Sequence, residues 1–264
     1  MGGRFGKGCI KDVEDKRDLP ILQLHQRMGV VVQPLLPTSI DLRDFCPPVY
    51  DQQSLGACTG FGISSGVEAM RQQAGLPYVQ LSQEALYYLE RQAEGDVGQD
   101  GGAQIRTGLS IALKSGIPPY SDYPYDPATF TTPPTPQALT DAQGYKIGGY
   151  FRLWTVRQFQ RTMAWKHFIV MGVDVFESFE GLKAEKTGVI PMPGPNEQLL
   201  GGHCILGVGY DDSKQVIIFR NSWSDQWGDK GYGYLPYEYL EKQSVAQGPY
   251  VSDMWAITLS TDGK

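Results

Sequence analysis

The last third of the sequence contains two apolar segments joined by a short polar one. Cys204–Tyr210 and Val216–Arg220 have the composition of strands, and the four residues between them, Asp211-Asp212-Ser213-Lys214, favour a turn. The pattern predicts a β-hairpin, which fixes the neighbourhood of the flanking residues. His203 precedes the first strand and Asn221 follows the second, so we expect both at the same outer end of the hairpin.

The length of the turn decides how these two side chains face each other. A turn with an odd number of residues, Asp211–Ser213, would set His203 directly opposite Asn221 on the same face. A turn of two or four residues would set Asn221 opposite Cys204 and direct it to the other face. We favour the odd turn, because Asn221 could then accept a hydrogen bond from the imidazole and orient it, as in a catalytic triad. The alternative is a histidine at the sheet rim and an asparagine that ends a strand.

A cysteine at the start of a glycine-containing segment is the candidate nucleophile. Each glycine in Cys58–Gln73 costs a helix about 1 kcal/mol relative to alanine, so propensity alone predicts a loop. We nevertheless predict a helix, because small residues would let it pack closely and the turn-prone segment Ser54–Ala57 precedes it. The partial positive charge at a helix start would stabilise a thiolate at Cys58. The alternative is a buried structural cysteine.

Three segments resemble the papain family of cysteine peptidases. Pro48–Cys58 resembles the segment that leads into the family's nucleophile, Gly201–Tyr210 its histidine strand and Arg220–Gly228 its asparagine motif. Weaker matches follow in the family's order: Leu81–Leu86, Asp100–Gly102, Gly116–Ile117 and Tyr123–Tyr125. The resemblance extends over most of the chain, from about residue 37 to residue 257.

The resemblance implies a role for each matching residue. Cys58 would be the nucleophile, His203 its acid/base partner and Asn221 the residue that orients the histidine. Gln52 and the Cys58 backbone N–H would stabilise the oxyanion of an acyl-transfer reaction. Four further residues would bind substrate or enclose the site: Gly101, Gly102, Trp223 and Cys204.

The predicted fold class is α+β, with the papain-like two-lobed architecture that the resemblance implies. A helical lobe, about residues 37–125, would carry Cys58. A β-barrel-like lobe, about residues 145–257, would carry His203 and Asn221, and the active-site cleft would lie between the lobes.

Some elements are predicted from local pattern alone. Leu81–Ala93 has the periodicity of a helix, and Ser82 can cap it. Phe168–Val175 and Tyr232–Leu235 have the composition of strands.

The sequence departs from the family pattern in three ways. Leu55 and Gln99 stand where many relatives have a pair of disulfide-forming cysteines, and Thr59 stands where a tryptophan usually follows the nucleophile. There is no pair of adjacent histidines of the kind that confers carboxydipeptidase activity, so an endopeptidase is expected. The absent disulfide and the absent helical pro-domain resemble bacterial-type members.

Residues 1–36 form a segment that we call the N-terminal arm. It is shorter than the pro-domains of eukaryotic relatives, and its apolar pieces, Leu19–Leu24 and Met28–Val32, favour burial over disorder. Two interpretations stay open: the arm lies across the cleft as a short inhibitory pro-segment, or it packs on the lobes as part of the fold.

Charge and hydropathy exclude several other functions. The net charge is −6, and no basic cluster is long enough to follow a phosphate backbone, so a nucleic-acid partner is not expected. No apolar segment approaches the roughly 20 residues that span a bilayer, and no signal sequence is visible, which leaves the compartment open. Four cysteines are too few for a disulfide-dense scaffold, although a Cys9–Cys46 bridge is compatible with the sequence. No metal or other cofactor is expected, since the cysteines and histidines lack zinc-ligand spacing.

The sequence therefore predicts a cysteine endopeptidase that hydrolyses protein or peptide substrates through a thioester on Cys58. One alternative is another acyl-transfer enzyme on the same scaffold, namely a transpeptidase, an amidase or an aminopeptidase. A second is a non-catalytic binding protein that keeps the fold. Neither substrate preference nor oligomeric state is predicted.

Overall fold

The computed structural model describes residues 5–27, 35–241, 243–244 and 248–260, and the chain changes from helix to sheet near its middle. The α-helices are α1 (Ile21–Arg27), α2 (Cys58–Gln73), α3 (Gln83–Glu94), α4 (Ile105–Lys114), α5 (Pro136–Asp141), α6 (Val156–Ala164), α7 (Leu182–Thr187) and α8 (Glu238–Glu241). Short 3-10 helices occupy Arg43–Phe45, Pro127–Thr129, Ala142–Gly144 and Glu177–Glu180. The strands are β1 (Cys9–Ile10), β2 (Ser39–Asp41), β3 (Ala103–Gln104), β4 (Ile147–Leu153), β5 (Ile169–Phe176), β6 (Leu199–Asp211), β7 (Val216–Arg220), β8 (Tyr232–Pro236), β9 (Gln243–Ser244), β10 (Gly248–Pro249) and β11 (Val251–Leu259).

Helix α2 forms over the predicted residues despite its glycines, and close packing explains why. A Cβ atom at Gly62 would lie 2.7 Å from the Cys204 sulfur, and one at Gly66 would lie 2.9 Å from Ile257 Cδ1. The glycines therefore let α2 lie directly on strands β6 and β11. This tertiary contact outweighs the low helix propensity.

Helix α3 confirms the prediction for Leu81–Ala93 with its ends displaced by one to two residues. Ser82 is the N-cap, and its side chain accepts a hydrogen bond from Ala85 N at 3.1 Å. Gly95 ends the helix in a left-handed conformation with φ of 84°.

Seven strands form one antiparallel sheet. The order is β4-β11-β5-β6-β7-β8, and β2 pairs with β6. The strand predictions are confirmed, although β6 begins at Leu199, five residues before the predicted Cys204. Leu206 of β6 faces α2, whereas Phe159 of α6 packs against Gly207 on the other face. The sheet therefore has helices on both faces, and this α+β arrangement agrees with the predicted fold class.

The turn between β6 and β7 is not the predicted one. Asp211 pairs with Val216, so the turn contains four residues instead of three. A β-bulge at Val208 then shifts the register by one residue, and Leu206 pairs with Arg220.

The predicted direct pairing of His203 with Asn221 is therefore wrong, but its consequence survives. Continued by one residue, the observed register would set Asn221 opposite Ile205, two residues from His203. Residues two apart on a strand share a face. The bulge compensates for the even turn and keeps both side chains on the same face.

The described part of the arm, residues 5–27, lies against the rest of the chain along its length. β1 pairs with β3 in parallel, and Ala103 N donates to the Gly8 carbonyl at 2.7 Å. Further along, the Asp18 carboxylate accepts hydrogen bonds from Arg106 and Arg152. Ile21 and Leu24 of α1 are buried in the core, and Met28–Val32 lies outside the described residues. The arm is thus both part of the core and an extended segment beside β3.

Candidate active site

Cys58 is the first residue of α2 and is fully buried. Burial raises the pKa of its thiol to about 11, whereas hydrogen bonds from the backbone N–H groups of Cys204, Gly8 and Thr59 act in the opposite direction. The helix start and these N–H groups favour a thiolate, but burial outweighs them. In this state Cys58 is a neutral thiol at neutral pH.

His203 in β6 is held by Asn221. The two side chains are 2.8 Å apart, from Nε2 of the imidazole to Oδ1 of the amide, and Asn221 Oδ1 also accepts from the Ser222 backbone N–H at 2.8 Å. Because that backbone group must face an acceptor, the amide oxygen is Oδ1, and His203 Nε2 carries the proton. His203 Nδ1 makes no hydrogen bond within the described part of the chain and is left as the nitrogen able to accept a proton.

The imidazole is also neutral in this state. Burial lowers the pKa of His203 to about 4, the hydrogen bond to Asn221 opposes that shift, and the nearby Lys7 ammonium adds to it. With a thiol pKa of about 11, Cys58 and His203 are therefore both uncharged between about pH 4 and pH 11. A thiolate–imidazolium pair would need better solvation than this covered site gives.

Trp223 encloses the histidine. Its indole stacks on the His203 ring with 4.6 Å between centroids and an interplanar angle of 26°. Phe179 and Trp227 pack edge-on against the same indole. These rings exclude water from the bond between His203 and Asn221 and so strengthen it.

Gln52 presents its side-chain amide to the cleft. Its Nε2 donates to the Leu55 and Gly6 carbonyls at 2.9 and 3.1 Å, and its Oε1 accepts from the Ser222 hydroxyl at 2.6 Å. The two carbonyls can only accept, so they fix which end of the amide carries the N–H groups, and Ser222 holds the opposite end. Sequence reasoning missed Ser222, and its position directly after Asn221 is the signal that could have identified it.

The candidate substrate-binding residues take different positions. Gly102, with φ of 85°, lies against the arm, since a Cβ there would be 2.2 Å from the Gly8 carbonyl oxygen. A Cβ at Gly101 would meet Asp96 instead. The Cys204 sulfur packs against Gly62 of α2. Substrate contacts of these residues stay a prediction.

The residues directly after Leu55 and Gln99, the places that resemble a lost disulfide, are joined by a carboxylate. All four cysteines are free, so no Cys9–Cys46 bridge forms. Asp100 accepts from the Gly56 backbone N–H with both oxygens at 3.0 Å and from the Tyr87 hydroxyl at 2.6 Å. That hydroxyl accepts in turn from Gly102 N at 3.0 Å. These bonds link the loop before Cys58 to the paired glycines, and the sequence pattern did not indicate them.

Thr59, the other departure, makes a buried polar contact. Its hydroxyl donates to Glu90 of α3 at 2.5 Å, and burial raises the pKa of Glu90 well above its usual range. The bond ties the first turn of α2 to α3.

The arm occupies the mouth of this site. The Phe5 ring stacks on Trp223 with 4.4 Å between centroids and an interplanar angle of 7°. The Gly6 carbonyl accepts the outward N–H of Gln52, and Gly6 N donates to the Gln53 carbonyl at 3.2 Å. The donor that sequence analysis assigned to an oxyanion is therefore bonded to a carbonyl of the arm.

Two arm glycines are needed for so close an approach. A Cβ atom at Gly8 would lie 1.9 Å from the Gly56 carbonyl oxygen, and one at Gly6 would lie 2.2 Å from the Leu55 carbonyl oxygen. No other residue fits at either position without displacing the arm from the loop that precedes Cys58.

An α+β fold with a cysteine at a helix start and a histidine–asparagine pair on a facing strand defines a class of cysteine peptidase. The family model described as papain family cysteine protease matches residues 36–251, and the chain belongs to that family.

Individual relatives agree with this assignment. The chain is similar to the crystal structure of Xylellain, a cysteine protease from Xylella fastidiosa, with a TM-score of 0.83, 31% identity and 98% of each chain covered. A peptidase C1-like protein of Acanthamoeba polyphaga mimivirus is 31% identical over 280 residues, 97% of this chain and 87% of that protein. Chymopapain of Carica papaya is 29% identical over 204 residues, 74% of this chain and 54% of chymopapain. The chain thus spans about half the length of chymopapain.

Among the described residues, no helix is both long and apolar enough to cross a membrane. Within the same residues, no group of three or more histidine, cysteine or acidic side chains is placed to hold a metal ion.

Proposed function

We propose that this chain is a latent cysteine endopeptidase that cleaves protein or peptide substrates with Cys58 and is inhibited by its own arm. The observation that carries the proposal is the connected set of hydrogen bonds from His203 through Asn221 and Ser222 to Gln52. This set orients an acid/base group and an oxyanion donor around one buried thiol.

In the proposed mechanism the Cys58 sulfur attacks the peptide carbonyl after its proton passes to His203. The developing oxyanion accepts hydrogen bonds from Gln52 Nε2 and the Cys58 N–H. His203 then donates its proton to the leaving amine, which gives a thioester. Water, deprotonated by His203, hydrolyses the thioester and restores the thiol.

The proposed inhibition has a steric and an electrostatic part. The Gly6 carbonyl accepts the Gln52 Nε2–H that a substrate carbonyl would otherwise accept, and the Phe5 ring covers the indole of Trp223. The arm also helps to exclude water from Cys58 and His203, which keeps both groups neutral and weakens the nucleophile. Displacing the arm would restore access and solvation together.

The proposed lobes are a helical one, about residues 37–125, and a β-rich one, about residues 145–257. Cys58 belongs to the first, and His203 and Asn221 belong to the second. The arm, residues 1–36, would act as a separate regulatory segment.

The test uses a thiol-directed epoxide near pH 6, intact-mass spectrometry and quenched fluorescent peptides. In a chain whose arm is displaced by Gly8→Val, Cys58→Ala is expected to abolish both turnover and the epoxide adduct while the protein stays folded. Cys46→Ala, the matched control at a half-buried cysteine outside the site, should keep both. Appreciable cleavage by Cys58→Ala would refute the assignment.

The same assay separates hydrolysis from acyl transfer. Cleavage in ¹⁸O-labelled water should place one heavy oxygen in the new carboxyl group of the product. Products that carry an added amine instead would identify a transpeptidase, and cleavage limited to one terminus would identify an aminopeptidase.

A further inference from the structure

We propose that Glu180 is a specificity residue that selects a lysine or arginine side chain at a position adjoining the scissile bond. This inference rests on the proposed function. The arm occupies the cleft as an extended peptide. Its side chains therefore contact the surfaces that a substrate would contact.

Lys7 is the arm residue that reaches Glu180. Its ammonium pairs with the Glu180 carboxylate and donates to the Phe5 carbonyl at 2.8 Å. The side chains of Lys7 and Glu180 are only 7% and 10% exposed. With the arm docked, the pair is thus largely shielded from solvent, and we call the path of the Lys7 side chain to Glu180 the channel. A charge there costs more to leave unpaired than at an open surface.

The channel belongs to the candidate active site. The aliphatic part of Lys7 runs beside Gly201, two residues before His203, with its Cβ and Cδ 3.4 and 3.6 Å from where a Cβ of Gly201 would be. Glu180 follows Phe179, which packs edge-on against Trp223. The Lys7 stem lies at van der Waals distance from this position, and the Glu180 carboxylate pairs with the ammonium at its end.

Glu180 therefore discriminates between substrate side chains by charge. A peptide that replaces the arm would present one side chain to this channel. A cationic side chain would restore the ion pair, an uncharged one of equal length would leave the carboxylate without that cation, and an acidic one would add repulsion.

The experiment uses the full-length protein with Lys7→Met and Gly8→Val, which removes the competing cation and displaces the arm. Quenched peptides carry lysine, norleucine or glutamate on either side of the scissile bond. Norleucine has nearly the length of lysine without its charge. At one of the two positions we expect kcat/KM for lysine to exceed that for norleucine by about tenfold, which corresponds to about 1.4 kcal/mol.

Adding Glu180→Gln should bring that ratio close to one, and Glu180→Asp should keep part of it. Glu177→Gln, the control, removes an exposed carboxylate of the same 3-10 helix and should leave the ratio unchanged. Equal losses for all three peptides with Glu180→Gln would overturn the inference, as would the absence of a lysine preference in the parent. Failure of every peptide together with unreactive Cys58 would instead refute the proposed function.

Discussion

If the arm inhibits the chain as proposed, substitution of Gly8 by valine should activate it. The new Cβ would lie 1.9 Å from the Gly56 carbonyl oxygen and 2.6 Å from its carbonyl carbon, both backbone atoms of a loop held by Asp100. Because that loop cannot yield cheaply, the arm must move. The move would break the bond from Ala103 N to the Gly8 carbonyl.

The magnitude follows from these contacts. Overpacking costs typically 1–3 kcal/mol, and loss of one hydrogen bond costs about 1 kcal/mol, so arm docking should weaken by about 2–4 kcal/mol. Such a change corresponds to a factor of roughly 30 to 1,000 in the fraction of molecules with an accessible site. The increase ends once most molecules are open.

The assay is the second-order rate of epoxide labelling at Cys58, with kcat/KM for a peptide measured in parallel. Gly98→Val is the matched control, because no atom lies within 4 Å of a Cβ at Gly98. Gly6→Val should act like Gly8→Val, since its Cβ would meet the Leu55 carbonyl oxygen at 2.2 Å. Rates for Gly8→Val within twofold of the unmodified chain would refute the argument that the arm closes the site.

Three further predictions concern the same site. In the closed chain, burial raises the pKa of Cys58 to about 11, so the rate of epoxide labelling should keep rising up to about pH 11. In the opened variant the rate should reach its plateau at a lower pH, and identical profiles would contradict the electrostatic part of the inhibition. Asp100→Ala should lower the free energy of unfolding by about 2–4 kcal/mol in urea titrations, because Gly56 N and the Tyr87 hydroxyl lose a charged acceptor. Asp225→Ala, the control at an exposed carboxylate, should change the free energy of unfolding little. Ser222→Ala in the opened variant should lower kcat by about tenfold with little change in KM, since a Gln52 amide without the Ser222 hydrogen bond holds the oxyanion less well. An unchanged kcat would exclude this positioning role.

The sequence predicted that His203 and Asn221 would share a face, but not the path of the backbone that brings them together. Helix α2 was predictable only by weighing its small residues against their low propensity, because Gly62 and Gly66 reveal their purpose in contacts with distant strands. The β6–β7 turn was mispredicted, since nothing local distinguishes a three-residue turn from a four-residue turn followed by a bulge at Val208.

Sequence reasoning left two positions of the arm open, across the cleft or packed on the lobes, for a different reason. Its contacts with the loop before Cys58 are made by the backbones of Gly6 and Gly8, which carry no side-chain pattern. Asp100 was missed because its partners are a backbone N–H and a tyrosine hydroxyl elsewhere in the chain. Such contacts depend on three-dimensional proximity and leave little trace in hydrophobic periodicity.

Because hydrogen bonds to Asp100 hold the loop, the redox state of the nucleophile does not affect the stability of the scaffold around it. A thiol enzyme must be kept reduced, and a cleft wall held by a disulfide would be exposed to the same reductant. Here a carboxylate joins Gly56 and Tyr87, and all four cysteines are free. Strong reductants can therefore regenerate a reversibly oxidised Cys58 without loosening the loop that positions it.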